Sequence, residues 1–445
     1  MSFNLANFII MPKTISLRQG LSSVLLWSVI AAAFIGPGTV TTASNAGATF
    51  QLDLLWALAF SIFATMVLQE AAARVTVASG KSLGEIIALK YATRHRRLRW
   101  LLFVAVAFGC AAYQTGNILG AVSGLLFWVT GVPQWLLTLA LAFICTALLM
   151  VGKVQIIARS LGIVVALMGV AFCAVAWQTD FSLGDMTRAI FLPVFPNDSA
   201  LLIIGLIGTT IVPYNLFLAS GIGQGQDIRE MRLGVVLAVL IGGLISGAIL
   251  LTGTFVSGAY SYEALANAMV ARLGSWAIGL FGFGLFAAGF TSCITAPLAA
   301  AITGKSLLGN QETAWQSNGR SFRMVWMTVF GIGLFFSLSG IRPIPAIILA
   351  QAINGVLLPI VAIFLLLTMN DRQVLPPDFT NKIVTNVLTL IIVGVTCFLG
   401  LTNIWRSIGN ILPELNQWQS SLIWLNFAVA LLIIGRLSFI IFRKK

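Results

Sequence analysis

The chain has 445 residues, of which 59% are hydrophobic and only 9% charged, with a formal net charge of +13. That much apolar side chain exceeds what a water-soluble fold of this size needs, which excludes a soluble enzyme and points to an all-α integral membrane protein. The basic excess does not suggest a nucleic-acid partner. With a cytoplasmic N-terminus, all of the 26 Lys and Arg except Arg188, Arg272, Arg342 and Arg406 fall on the cytoplasmic side, as the positive-inside rule requires.

Residues 1–20 hold only a short apolar stretch before Pro12 and Lys13, so they read as a cytoplasmic tail without a cleavable signal. About 12 transmembrane helices follow, because segments of roughly 20 apolar residues cross a bilayer. They fall at 21–48, 52–74, 100–129, 133–151, 157–177, 199–222, 233–256, 276–302, 324–340, 343–369, 383–403 and 421–442. Both termini are then cytoplasmic, and the expected location is the plasma (cytoplasmic) membrane. The lipid bilayer and a small solute or ion are the expected partners, and a monomer the expected state.

The first span, "AAAFIGPGTVTTASNAGATF", carries Pro37 between Gly36 and Gly38. Proline lacks an N–H and clashes with the preceding turn, and flanking glycines favour an opened backbone. In the second span, Glu70 and Arg74 stand one turn apart near its cytoplasmic end and read as a structural ion pair. Arg94, Arg96, Arg97 and Arg99 in the loop that follows read as an orientation signal. His95 in the same loop is the only histidine, so no histidine site lies within the membrane. The five cysteines (Cys110, Cys145, Cys173, Cys293, Cys397) all fall in predicted spans without metal-type spacing and read as small packing residues. Hydrolase, phosphate-loop and dinucleotide motifs are absent, so neither an enzyme nor a cofactor is expected.

The sixth span repeats the interruption. "IGLIGTTIVPYNLFLAS" places Pro213 just after Thr209 and Thr210. Corresponding interruptions five spans apart point to a five-plus-five inverted repeat, in which two broken helices meet at the bilayer midplane and hold the substrate. The repeats would be 21–177 and 199–369, with 383–442 forming two peripheral spans. Each break creates a half-helix N-terminus, near Thr39 and near Asn215, whose free N–H groups favour polar or anionic atoms.

Read without gaps, "IAAAFIGPGTVTTASNAGATFQLDLLWAL" resembles the first-span region of the NRAMP family of divalent-metal transporters. "SGKSLGEII" (79–87) is similar to that family's segment after the second span, and "GTTIVPYNLFLAS" to its sixth-span Met-Pro-His-Asn region. "AAGFTSCITAPLAA" resembles the eighth span and "AQAINGVLLP" the tenth. The resemblance implies a LeuT-type inverted-repeat fold and a secondary transporter.

It also implies where the family's metal ligands would fall. The first-span Asp and Asn positions are Gly36 and Thr39, the sixth-span Met position is Val212, and the histidine positions are Tyr214 and Ala219. The third-span acidic pair tied to proton movement falls on Gln114 and Asn117. The tenth-span glutamine is Gln351, with Asn354 one turn away. The expected substrate site is therefore Gly36, Thr39, Thr209, Thr210, Val212, Tyr214, Asn215 and Gln351, with Gln114, Asn117 and Asn354 as an accessory polar path. No metal site of the family's usual type remains. Neutral oxygens do not replace the carboxylates, imidazoles or thiolates that hold divalent metals, and burying an uncompensated charge costs several kcal/mol.

Metal-ion transport is thus the family's default, with a diverged substrate expected. The alternatives are a carrier of a neutral or anionic small solute, with Na⁺ coupling among the options, and a non-transporting membrane sensor. Membrane sensors that resemble this family carry a soluble output domain; none is expected after Lys445, so in the sensor reading a partner subunit would supply the output.

Overall fold

The structure, a computed structural model, describes residues 35–90, 96–151, 155–222, 227–309, 313–316, 319–411 and 418–443. The tail at 1–20, the first half of predicted span one, Arg94 and His95 lie outside the described residues. Within them the chain is helical, with no strand.

Helix α1 (Pro37–Phe50) starts at a proline in its first position, where the missing N–H would be unpaired anyway. Gly36 before it is extended, with φ −95° and ψ 173°. Helix α2 (Leu55–Ser79) stops at Gly80, whose φ of 67° is the left-handed conformation that ends many helices. There follow α3 (Leu83–Lys90), α4 (Arg96–Leu125), α5 (Gln134–Val151) and α6 (Gln155–Ala176). Helix α7 (Leu183–Phe191) is closed by a capping box between Ser182 and Asp185. The predicted sixth span is two helices, α8 (Ala200–Thr210) and α9 (Pro213–Ile222), parted at Ile211 and Val212. Then come α10 (Ile228–Gly253), α11 (Tyr262–Leu273), α12 (Trp276–Leu308), α13 (Arg320–Leu338), α14 (Pro343–Met369), α15 (Ile383–Ile411) and α16 (Gln419–Arg443).

Ten helical segments among the described residues are long and apolar enough to cross a membrane. The shorter apolar stretch Ser160–Ala176 in α6 and the described half of span one account for the remaining two expected spans. Span seven begins earlier than the hydropathy suggested. Asp227 caps α10 by accepting from the Arg229 N–H at 2.8 Å, which carries the helix back to Ile228 and brings Glu230 into it. The short helices α3, α7 and α11 between spans were not anticipated.

Position in the bundle follows side-chain character. The segment Ala200–Gly221 is the most enclosed, 89% buried, whereas Ser421–Arg443 is 22% buried and turns Trp424 and Leu432 outward. Apolar side chains on an outer surface are what lipid tails accept. Helices α4 and α12 pack along each other, and α14 lies against α8, α4 and α15. Four of the cysteines are buried, as expected of packing residues, but Cys173 is exposed on α6.

Not every proline breaks its helix. Pro297 lies inside α12 and Pro359 inside α14, and both helices continue. A proline in a membrane helix is tolerated when a neighbour takes up the carbonyl it frees. For Pro297 that carbonyl belongs to Cys293, and it accepts from Gln114 Nε2 at 3.1 Å.

Candidate functional site

The two breaks meet. The hydroxyls of Thr39 on α1 and Thr209 on α8 lie 3.0 Å apart, and both residues are buried. Gln351 on α14 is the third element of the junction. A β-carbon at Gly38 would overlap its side-chain amide, and one at Gly208 would overlap its backbone carbonyl. Glycine at both positions is therefore what lets α1 and α8 close onto the same residue of α14. Thr42 adds its methyl group beside Gly205.

The gap between α8 and α9 leaves carbonyls without helical donors. Pro213 has no N–H to give Thr209. The Gly208 carbonyl, whose helical donor would be the Val212 N–H, accepts from the phenol of Tyr113 on α4. That ring stands edge-on to Tyr214, with centroids 5.9 Å apart at 83°. Val212, Tyr214 and Asn215 are all buried, and the Asn215 N–H donates to the Val212 carbonyl at 3.0 Å in the first turn of α9. The Thr210 hydroxyl turns back to the Leu206 carbonyl of its own helix at 2.9 Å.

The accessory residues separate. Asn117 lies on α4 between Tyr113, which reaches Gly208, and Gly120, which packs on Pro37, so it shares the face turned to the breaks. Gln114 faces elsewhere: it bonds Cys293 of α12 and packs against Gly333 of α13. Asn354 joins α14 to α4 through the Gly109 carbonyl at 3.2 Å and also bonds Ala350 of its own helix. Gln114 and Asn354 thus serve as bonds between helices.

Several buried polar atoms around the junction have no hydrogen-bond partner. They are Thr42 Oγ1, Asn117 Nδ2, Asn215 Nδ2 and Gln351 Oε1. No charged side chain stands among the residues that form the junction, and no group of three or more His, Cys, Asp or Glu occurs among the described residues. Gly36 itself is partly open. A β-carbon there would meet only Ser292 Oγ, at 3.6 Å.

Sequence reasoning missed Tyr113, Thr42 and Ser292, and it missed the contact of α11 and the loop before it with α1. Tyr262 OH bonds Thr41 Oγ1 at 2.7 Å, and Tyr260 OH bonds Ser44 Oγ at 2.7 Å. Burial pushes both of these phenols well above their ordinary pKa, so they act as neutral hydroxyls. A signal was available. The chain has only five tyrosines, and Tyr113, Tyr214, Tyr260 and Tyr262 all gather on or beside the two broken spans.

Charge is concentrated at the end of α2 that meets the α14–α15 loop. Glu70 pairs with Arg74 at 3.1 Å and with Arg232 at 2.8 Å. Arg74 also donates to the Phe379 carbonyl at 3.0 Å and to Asn381 Oδ1 at 2.7 Å. A second carboxylate, Glu230, lies in the first turn of α10 with little exposed surface.

Residues 28–406 match the model of the natural resistance-associated macrophage protein-like family, Nramp. A divalent metal cation transporter MntH of Verminephrobacter eiseniae is 24% identical over 406 residues, spanning 86% of this chain and 89% of that protein. An MntH of Yersinia pestis is 26% identical over 395 residues, spanning 83% and 92%. Among solved structures, the manganese transporter of Eremococcus coleocola, crystallised with an aromatic bis-isothiourea compound, superposes with a TM-score of 0.71. It shares 18% identity and covers 96% of this chain and 97% of its own. The likeness establishes the LeuT-type fold with its two broken helices.

Proposed function

Since this chain belongs to the natural resistance-associated macrophage protein-like family, we propose that it is a multi-pass secondary transporter of the plasma membrane whose substrate has diverged from dehydrated Mn²⁺ or Fe²⁺. The charge distribution supports a cytoplasmic position for both termini. The relatives carry divalent-metal names, so metal-ion transport is the starting point. The chemistry at the junction of α1, α8, α9 and α14 argues for a different occupant.

One observation carries the reading. The buried atoms Thr42 Oγ1, Asn117 Nδ2, Asn215 Nδ2 and Gln351 Oε1 are unpartnered, and no carboxylate, imidazole or thiolate stands with them. Leaving a buried donor or acceptor unsatisfied costs about 1–3 kcal/mol, so a cluster of them around two broken helices is suited to a polar ligand that supplies the missing bonds. The set is neutral and mixes donors with acceptors. It suits a small polar solute, or Na⁺ held by hydroxyl and carbonyl oxygens, better than a divalent ion stripped of water.

A thermal-shift screen on the purified protein tests this, because a ligand that binds only the folded state raises its melting temperature. Mn²⁺, Fe²⁺ and Cd²⁺ at micromolar concentration are expected to leave the melt unchanged, while at least one polar solute or Na⁺ raises it. Stabilisation by the three metals alone would overturn the proposal.

A further inference from the structure

The geometry points to a carboxylate subsite at the N-terminus of α1, formed by the Gly38 N–H and the Gln351 amide, for a small solute with a hydroxyl or ammonium group on the carbon next to its carboxylate. This rests on the transporter reading above and names the substrate class for that site.

The first N–H groups of a helix have no acceptor within it, and the aligned peptides put a partial positive charge there. In α1 the first residue is Pro37, so Gly38 offers the first such N–H. Gly36, at the capping position, supplies no side chain to take it. A helix end alone is not a site. The second observation is Gln351, 1% exposed, whose Nε2 is the atom nearest to where a Gly38 side chain would begin. Gln351 Nε2 thus lies against Gly38 on the side from which a β-carbon would project, which in a helix leans toward its N-terminus as the free N–H does, and we assign the two donors to the two oxygens of one carboxylate. Anions are favoured at such an end, and no acidic side chain in the junction competes for it.

The rest of the amide specifies the neighbouring group. Gln351 Oε1 is buried without a donor, and a carboxylate alone would leave it so. A hydroxyl or ammonium one carbon away from the carboxylate would satisfy it. Gly36 is the position from which the subsite can be closed. Ser292 Oγ at 3.6 Å is the only atom a β-carbon would meet, and an aspartate there would occupy the α1 donors as a helix cap and repel a second anion.

The test is thermal shift and proteoliposome uptake on the full chain with labelled L-lactate and labelled glycine as the two probes, one carrying a hydroxyl and one an ammonium group. One or both are expected to stabilise the wild type at millimolar concentration. Gly36→Asp should weaken the effect at least about tenfold, as expected of like charges at one helix end, with Gln351→Met losing a comparable factor. The melting curve of each variant without probe reports that it is folded. No response of the wild type to either probe would overturn the subsite, as would an undiminished response in Gly36→Asp. A parallel Mn²⁺ titration separates the two readings. Micromolar Mn²⁺ binding without a carboxylate response would overturn both, whereas no response to either would overturn the subsite and leave the transporter reading standing.

Discussion

Thr39 and Thr209, 170 positions apart in sequence, share a hydrogen bond of 3.0 Å between their hydroxyls. It ties the half-helix of the first break directly to that of the second. A buried bond of this kind contributes roughly 0.5–1.5 kcal/mol. Thr39→Val and Thr209→Val keep the shape of the side chain and remove the hydroxyl, so each should destabilise by about 1 kcal/mol. The double variant should cost less than the sum, with a coupling of about 0.5–1 kcal/mol in a double-mutant cycle of unfolding free energies. Strict additivity would show that the bond does not form.

Gln114 is expected to act through Pro297. Its amide takes the Cys293 carbonyl, which would accept the N–H of residue 297 if that residue were not proline. Gln114→Leu should therefore destabilise by roughly 1–3 kcal/mol, the cost of an orphaned buried acceptor. Adding Pro297→Ala should recover part of that loss, because the helix then supplies its own donor. A Gln114→Leu variant that stays fully stable yet loses transport would return Gln114 to the substrate path.

The broken helices were legible because Pro37 and Pro213 stand among glycines, threonines and polar residues. The sequence offered the same mark, a proline in an apolar run, at Pro297 and Pro359, where the helices continue. What distinguishes Pro297 is a donor on another helix, Gln114, which no one-dimensional pattern exposes. The polar residues of the junction were readable as neutral, but their division was not. Gln114 and Asn117 are three apart on α4, yet one bonds α12 while the other faces the breaks. The start of α10 was misplaced because the hydropathy of 228–232 is low, while the Asp227 cap extends the helix regardless.

Proton coupling needs a group within the membrane that changes charge during the cycle. Glu70 is held between Arg74 and Arg232, and the positions facing the breaks carry no acid. Once a substrate is found, its accumulation in proteoliposomes with the membrane potential clamped should not respond to an imposed pH gradient. Glu230 is the buried carboxylate outside that network. Proton-driven accumulation that disappears in Glu230→Gln but not in Glu70→Gln would contradict the prediction and identify the carrier.

Topology follows from charge. A reporter active only outside the cell should give signal when inserted at 130–132, 178–198 and 257–275, and should stay dark at 80–98 and after Lys445. The contact of Tyr260 and Tyr262 with α1 then lies on the outer side. Reversed signals would remove both the orientation and that assignment.

Gly36→Asp, Thr39→Asn and Val212→Met together should create Cd²⁺ binding detectable by calorimetry. Recovery should be partial, since residues that orient the ligands contribute to metal affinity as well.

The most direct test of the neutral, carboxylate-free junction is isothermal calorimetry of the purified wild-type protein with Cd²⁺ and Mn²⁺ at pH 7. The expected result is no micromolar isotherm for either ion, and a tight one-to-one isotherm would contradict the account.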